Sequence, residues 1–428
     1  MNDFVLPRSV SSSLEKALGV MPAVVVAGAR QTGKSTLARA IGRERTAPAP
    51  GEAGTTHATG PTARPGRRYL SLDDFDVLDL ARRDPDALVR DSHPVTLDEV
   101  QREPGLLSAV KREIDRGRQP GRFLLTGSAN LLLMRRVSES LAGRASYLTL
   151  WPMTRREQLG LGECSIWEEL VEVPDRDWLD VVTADTGGRE DWRPLARRGG
   201  FPFPAVHLGT DEDRAIWFDG YVRTYLERDL QTLSAIHSLP DFRRLMRAAC
   251  LRIGSTVNQS ELGRDIELSQ PTVHRYLNLL ETSYLLLRVP AYVVNRTKRL
   301  IKSPKLYWGD TGLAMHLSHE VEPRGAHLEN LVLQDLLVWR DSRSPRTEVL
   351  HWRATTGDEV DFVIETGDSL LPIEVNATKR PRVAHAANLR TFRREYGRAA
   401  RSGLLLHGGD SVEWLTPEVL AVPWWVVM

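Results

Sequence analysis

The chain has 428 residues, with 57 Lys and Arg against 56 Asp and Glu, a formal net charge of +1 and a hydrophobic fraction of 41%. That length suggests roughly three domains, and the near-neutral balance excludes a polycation that binds nucleic acid through bulk charge, so any such surface must come from local clustering. Cys164 and Cys250 alone exclude a disulfide framework or a cysteine metal cage and point to a reducing compartment. No apolar run approaches the ~20 residues of a membrane span, and residues 1–8 lack a signal-peptide pattern, so the expected setting is cytoplasmic, without a membrane partner.

The first informative segment is Gly28-Ala29-Arg30-Gln31-Thr32-Gly33-Lys34-Ser35, the G-x-x-x-x-G-K-[ST] pattern, preceded by the apolar run from Ala23 to Ala27 and followed by Thr36 and an amphipathic stretch. Strand, loop and helix in that order predict a phosphate cradle. The two outer glycines let backbone amides approach a polyphosphate, and the helix N-terminus adds partial positive charge. Lys34 is expected to reach the β- and γ-phosphates, and Ser35 to ligate Mg²⁺. Residues 43–68 are rich in Ala, Pro, Gly and Thr; they cannot bury enough surface to offset chain entropy and read as a disordered insertion.

The strand Pro94 to Asp98 then ends in Asp98-Glu99. At the carboxyl end of a buried strand, Asp98 is placed to hold the Mg²⁺ shell and Glu99 to orient the attacking water. A further strand, Arg122 to Thr126, ends in Thr126-Gly127-Ser128; Thr126 or Ser128 is placed to sense the γ-phosphate, with a plain turn as the alternative reading. Arg144 is a candidate for transition-state charge, in cis or to a neighbouring subunit of a homo-oligomer, with a surface arginine as the alternative reading. Alternating strands and helices over this region predict a parallel α/β sheet.

From Trp151 to about Asp241 the pattern reads as a helical lid or connector. Ser260 to Ile266 and Thr272 to Leu280 then read as two helices joined by a short turn, with Ser269 as N-cap, Pro271 in the first turn and Val273, Tyr276, Leu277 and Leu280 facing inward. The following stretches read as wing strands, where Arg288, Arg296, Lys298, Arg299, Lys302 and Lys305 gather charge suited to DNA phosphates. Near the C-terminus, Glu329 lies on an apolar-patterned helix, Asp361 on an alternating strand and Glu374 on the next. Asp361 and Glu374 are a candidate second metal site, since carboxylates at adjacent strand ends share divalent cations. Asn376 stands where a Glu-x-Lys strand would carry its lysine; Lys379 is near in sequence but past the strand alternation.

Taken together, these motifs resemble the bacterial and archaeal AAA-type P-loop ATPases that carry a winged helix and a C-terminal restriction-endonuclease-like domain of unknown function. The residues that carry the resemblance are the phosphate loop, Leu97-Asp98-Glu99, Leu125-Thr126-Gly127-Ser128, Leu141-Ala142-Gly143-Arg144, Gly199-Gly200-Phe201-Pro202, Asp310-Thr311-Gly312-Leu313, Glu359-Val360-Asp361-Phe362 and Ile373-Glu374-Val375. The resemblance implies an α/β ATPase core over 1–155, a helical lid or connector over 156–241, a winged helix-turn-helix over 242–322 and an endonuclease-like α/β domain over 323–428. It implies ATP binding and hydrolysis with Mg²⁺ and a DNA-linked role. The expected function is a DNA-dependent ATPase; an ATP-dependent endonuclease and a nucleotide-gated DNA- or protein-binding switch are the alternatives. Asn376 departs from the family's lysine, which argues against cleavage.

Overall fold

The computed structural model describes residues 6–42, 66–90, 93–127, 141–162, 166–184, 188–224, 236, 238–299, 302–343 and 347–428. Most of the expected insertion (43–65) and Ser128 lie outside them. The described chain forms two compact units, one of residues 11–28 and 33–150, the other of residues 6–10, 29–32 and 151–428.

The first unit is built on a five-stranded sheet. Its strands are β1 (Ala23–Ala27), β2 (Arg68–Ser71), β3 (Val95–Asp98), β4 (Phe123–Thr126) and β5 (Ala145–Thr149), in the order β2-β3-β4-β1-β5. Every pairing is parallel, so the ends at Ala27, Asp98 and Thr126 share one edge, where such sheets bind ligands. β1, β3 and β4 are buried throughout, as the continuous apolar runs of a parallel sheet require. Helix α1 (Val10–Val20) precedes β1, and α2 (Lys34–Gly42) starts inside the glycine-rich motif. Arg68 already opens β2 and bonds Leu88 O at 2.9 Å, so the insertion ends before it. Helix α3 (Phe75–Arg83) is capped by Asp74, α4 (Pro85–Val89) by Asp84, and α5 (Leu106–Arg116) buries Leu106, Leu107, Ala109, Val110 and Ile114. Burying each of the leucine, valine and isoleucine side chains contributes ~1.5–3 kcal/mol.

The second unit begins with short helices at Trp167–Glu172, Trp178–Ala184, Trp192–Arg198 and Asp211–Tyr221. The helix expected over 221–230 is described only to residue 224. Indole N–H groups anchor this region to the long helix Gly325–Ser342: Trp151 donates to Asp341 at 2.8 Å, Trp167 to Asp335 at 2.7 Å and Trp339 to Glu168 at 2.9 Å. A buried indole needs such an acceptor. Two of the sequence motifs meet at Asp310. Its carboxylate accepts from Gly200 N at 2.6 Å, Phe201 N at 3.2 Å and Leu313 N at 2.8 Å, capping the helix Thr311–Ser318 and holding the glycine turn. Gly199 has φ +67°, and a Cβ there would lie 2.5 Å from Asp310 Oδ1.

Helices Gln259–Asp265 and Gln270–Thr282 are joined by a short turn and followed by the antiparallel pair β6 (Leu286–Val289) and β7 (Lys305–Trp308). Val273, Tyr276, Leu277 and Leu280 are all buried. The C-terminal sheet is mixed, ordered β12-β13-β11-β10-β9-β8, with β8 at Glu348–Arg353, β9 at Glu359–Thr366, β10 at Ser369–Asn376, β11 at Gly403–His407, β12 at Glu413–Thr416 and β13 at Val419–Pro423. The long helix 325–342 packs on it, with Leu336 and Phe362 in one apolar core. Among the described residues no helix is long and apolar enough to cross a membrane.

Candidate nucleotide-binding site

The phosphate loop follows β1 directly and ends in α2, because Gly28 and Gly33 adopt φ values of +150° and +92°. A Cβ at Gly28 would lie 2.3 Å from Leu150 O, so only glycine fits there. Gly33 O accepts from Leu37 N at 2.9 Å, which starts the helix. Lys34 is buried and its ammonium donates to Gly28 O at 3.2 Å, folding back over the mouth of the loop. Ser35 is half-buried in the first turn and Thr36 is exposed. Ala29, Arg30, Gln31 and Thr32 belong to the second unit, where Thr32 Oγ1 donates to Ala29 O at 3.0 Å and Arg8 Nη1 donates to Thr32 O at 2.8 Å. Gln31 is left-handed at φ +67°.

Asp98 ends β3 and is buried. Both of its oxygens are oriented: Thr126 donates to Oδ1, and the Tyr69 hydroxyl donates to Oδ2 at 2.5 Å. Burial and that bond push the Tyr69 hydroxyl up to about 12, so it stays a donor. Thr126 is therefore tied to Asp98, the candidate Mg²⁺ carboxylate. Glu99 sits in the left-handed region at φ +57° and accepts from the Gln101 amide. Burial raises its carboxyl above the ordinary range, the direction that suits a group handling a proton. A hydroxyl and a carboxylate are hard oxygen donors, so Ser35 and Asp98 fit Mg²⁺.

Arg144 is placed differently from the expectation of a charge acting in cis. It lies just before β5, at the amino edge of the sheet, where its carbonyl bonds Ala23 N at 3.3 Å. Its guanidinium donates to Asp115 at 2.6 Å. The length of β1 separates it from the carboxyl edge within its own subunit, and its ion pair with the exposed Asp115 is that of a surface arginine.

The C-terminal acidic residues do come together, around a lysine the sequence placed elsewhere. Lys305, on β7, is 1% exposed and its ammonium lies 2.8 Å from Asp361 Oδ1, 3.8 Å from Glu329 Oε2 and against Glu359. Asp361 Oδ2 accepts from Val375 N at 2.9 Å. Glu374, beside Asp361 on β10, keeps a buried Oε2 with no hydrogen-bond partner. Burial and the neighbouring Asp361 push Glu329 up to about 8 and raise Glu374 well above the carboxylate range. Lys305 is thus not a DNA contact of an exposed wing. Nor is Arg299, which is buried and bonds Glu365 at 2.7 and 2.9 Å and Glu348 at 2.8 Å. Arg288 is held by Glu281 and Asn278. Arg296, Lys298 and Lys302 are exposed, as expected of that surface. Lys379 is also exposed, and with Thr378, Arg380, Arg382 and His385 it lines a cavity of about 420 Å³.

Residues 21–159 match a family model described as an AAA domain, while residues 189–324 and 324–426 match two described as domains of unknown function, DUF8612 and DUF4143. The phosphate loop, the parallel sheet and this match agree. Residues 21–159 are similar to an AAA domain and carry a phosphate loop on a parallel sheet. An uncharacterized protein of Mycobacterium tuberculosis is 29% identical over 97% of this chain and 83% of its own length. One from Haemophilus influenzae is 21% identical over 59% of this chain and 58% of its own. Among solved structures, a Walker-type ATPase of Pyrococcus abyssi aligns with TM-score 0.41 and 15% identity over 73% of this chain and 98% of that one.

Three residues of these sites escape sequence reasoning in the ATPase domain and its loop: Arg8, Tyr69 and Gln101. Arg8 is one basic residue near the chain start, yet it holds Thr32 O, Trp151 O at 2.6 Å and Glu157 at 3.2 Å. Only the spacing of Tyr69 opposite Thr96 in the β2–β3 register hints that it reaches the strand end.

Proposed function

We propose that this chain is an ATPase that hydrolyses MgATP and engages DNA. The observation that carries the hydrolytic part is the arrangement at the carboxyl edge of the first sheet, where Lys34 closes the loop and Asp98 is oriented by Thr126 and Tyr69. Mg²⁺, when bound, would neutralise charge developing on the transferred phosphoryl group. Ser35 and Asp98 would hold it, Lys34 would turn from Gly28 O to the phosphates, and Glu99 would orient the attacking water.

The DNA part rests on a different surface. The helix Gln270–Thr282 buries one face and turns His274 and Arg275 outward, with His274 joined to Gln259 at 3.2 Å and to Asn278 at 2.9 Å. A second helix presented this way, followed by a hairpin, is what a winged helix offers to a groove. The exposed Arg296, Lys298 and Lys302 supply phosphate contacts, and the cationic cavity at 378–385 supplies more.

The test is ATP turnover with and without single-stranded, duplex and junction DNA, alongside DNA affinity over a salt series. DNA should stimulate turnover, and affinity should fall with a log–log slope near −0.9 per phosphate neutralised. Replacing Arg275, Lys298 and Lys302 with Ala should flatten that slope by about 1 for each lost contact. Unchanged affinity and slope would remove DNA from this surface.

A further inference from the structure

The four C-terminal carboxylates are drawn from three elements. Glu329 comes from the long helix, Glu359 and Asp361 from β9, and Glu374 from β10. A divalent cation here would need six or more oxygens at roughly 2.0–2.6 Å. The volume it would need holds the Lys305 ammonium instead, 2.8 Å from Asp361 and 3.8 Å from Glu329. The second Asp361 oxygen is taken by Val375 N–H. Among the described residues no group of three or more His, Cys, Asp and Glu side chains is arranged to hold a metal ion.

We propose that Lys305 is the resident cation of this carboxylate cluster, standing where an endonuclease-like centre would hold its divalent metal, so that the cluster is a metal-free internal lock between the β6–β7 hairpin and the C-terminal sheet. Two independent observations point to a cation position rather than a chance ion pair. Lys305 is almost wholly buried on a strand whose other residues are the buried Leu306, Tyr307 and Trp308, so its charge is placed there against a large desolvation cost. Glu374 Oε2 is buried beside the same centre with no partner, as an oxygen facing a cation site would be when the occupant is an ammonium of limited reach. The lysine missing at Asn376 is therefore replaced in space by one from another element, but as occupant of the site. This inference does not depend on the ATPase reading.

The experiment uses the full chain without nucleotide and Mn²⁺ as the only probe, read by calorimetry and thermal melting. Wild type should show no Mn²⁺ binding, and no Mn²⁺-dependent rise in Tm, that depends on Asp361. Lys305→Met should lower Tm by on the order of 5–10 °C, because it leaves buried carboxylates without their counter-charge. Mn²⁺ should then bind and recover part of that loss, and the recovery should vanish in the double variant Lys305→Met/Asp361→Asn. If Lys305→Met melts as wild type does, or melts lower with no Mn²⁺ response, the proposal is wrong. If it does not fold, wild type against Asp361→Asn still decides. Mn²⁺ binding lost with Asp361 overturns the proposal, and its absence upholds it.

Discussion

His351 offers a direct reading of how the buried charges of the C-terminal unit set stability. It lies on β8, 1% exposed, and its Nε2–H points to Ser303 O at 3.3 Å. Burial, reinforced by the positive charge of Lys305, pulls its pKa from 6.5 down to about 4. The folded value is below the unfolded one, so the contribution of a neutral His351 is full above about pH 6.5 and is lost as pH falls toward 4. At ~1.36 kcal/mol per tenfold, the whole span is worth on the order of 3 kcal/mol, of which about 2 kcal/mol falls between pH 7 and pH 5. The perturbation is His351→Gln, which keeps a donor and removes the titration. Urea unfolding of both proteins at pH 7 and pH 5 gives the difference between them, in which titrations common to both cancel. Wild type should be the more stable at pH 7, and its advantage should shrink by about 2 kcal/mol at pH 5. An advantage equal at both pH values would refute the claim that His351 is held neutral.

Two further outcomes follow from the geometry. Glu99→Gln should retain ATP binding while slowing phosphate release by ~10²-fold, measured by nucleotide affinity alongside single-turnover hydrolysis. Gly199→Ala should destabilise the second unit by on the order of 2–4 kcal/mol in urea unfolding, since it combines a left-handed φ with a Cβ pressed 2.5 Å from Asp310 Oδ1.

What the sequence makes legible is what lies close along it. The phosphate loop, Asp98-Glu99 and the Thr126 strand end are short apolar runs that stop in the required side chains, and a parallel sheet brings such ends to one edge. The inward face of the helix 270–282 is likewise local, a matter of helical period. Burial of charge is not local. Arg299 and Lys305 sit in a run of basic residues that looks like an exposed wing, and the acids that claim them, Glu348, Glu359, Asp361 and Glu365, lie some fifty residues further on. Which edge of the sheet Arg144 occupies is likewise not local, since it depends on β5 starting just after it and running parallel to β1.

The central claim is that the loop at 28–35 binds and hydrolyses MgATP, and steady-state phosphate release by wild type and Lys34→Ala tests it most directly. Wild type should turn over ATP with Mg²⁺, and Lys34→Ala should lose at least ~10²-fold in rate while keeping its fold by circular dichroism. Near-normal turnover by folded Lys34→Ala would contradict the account.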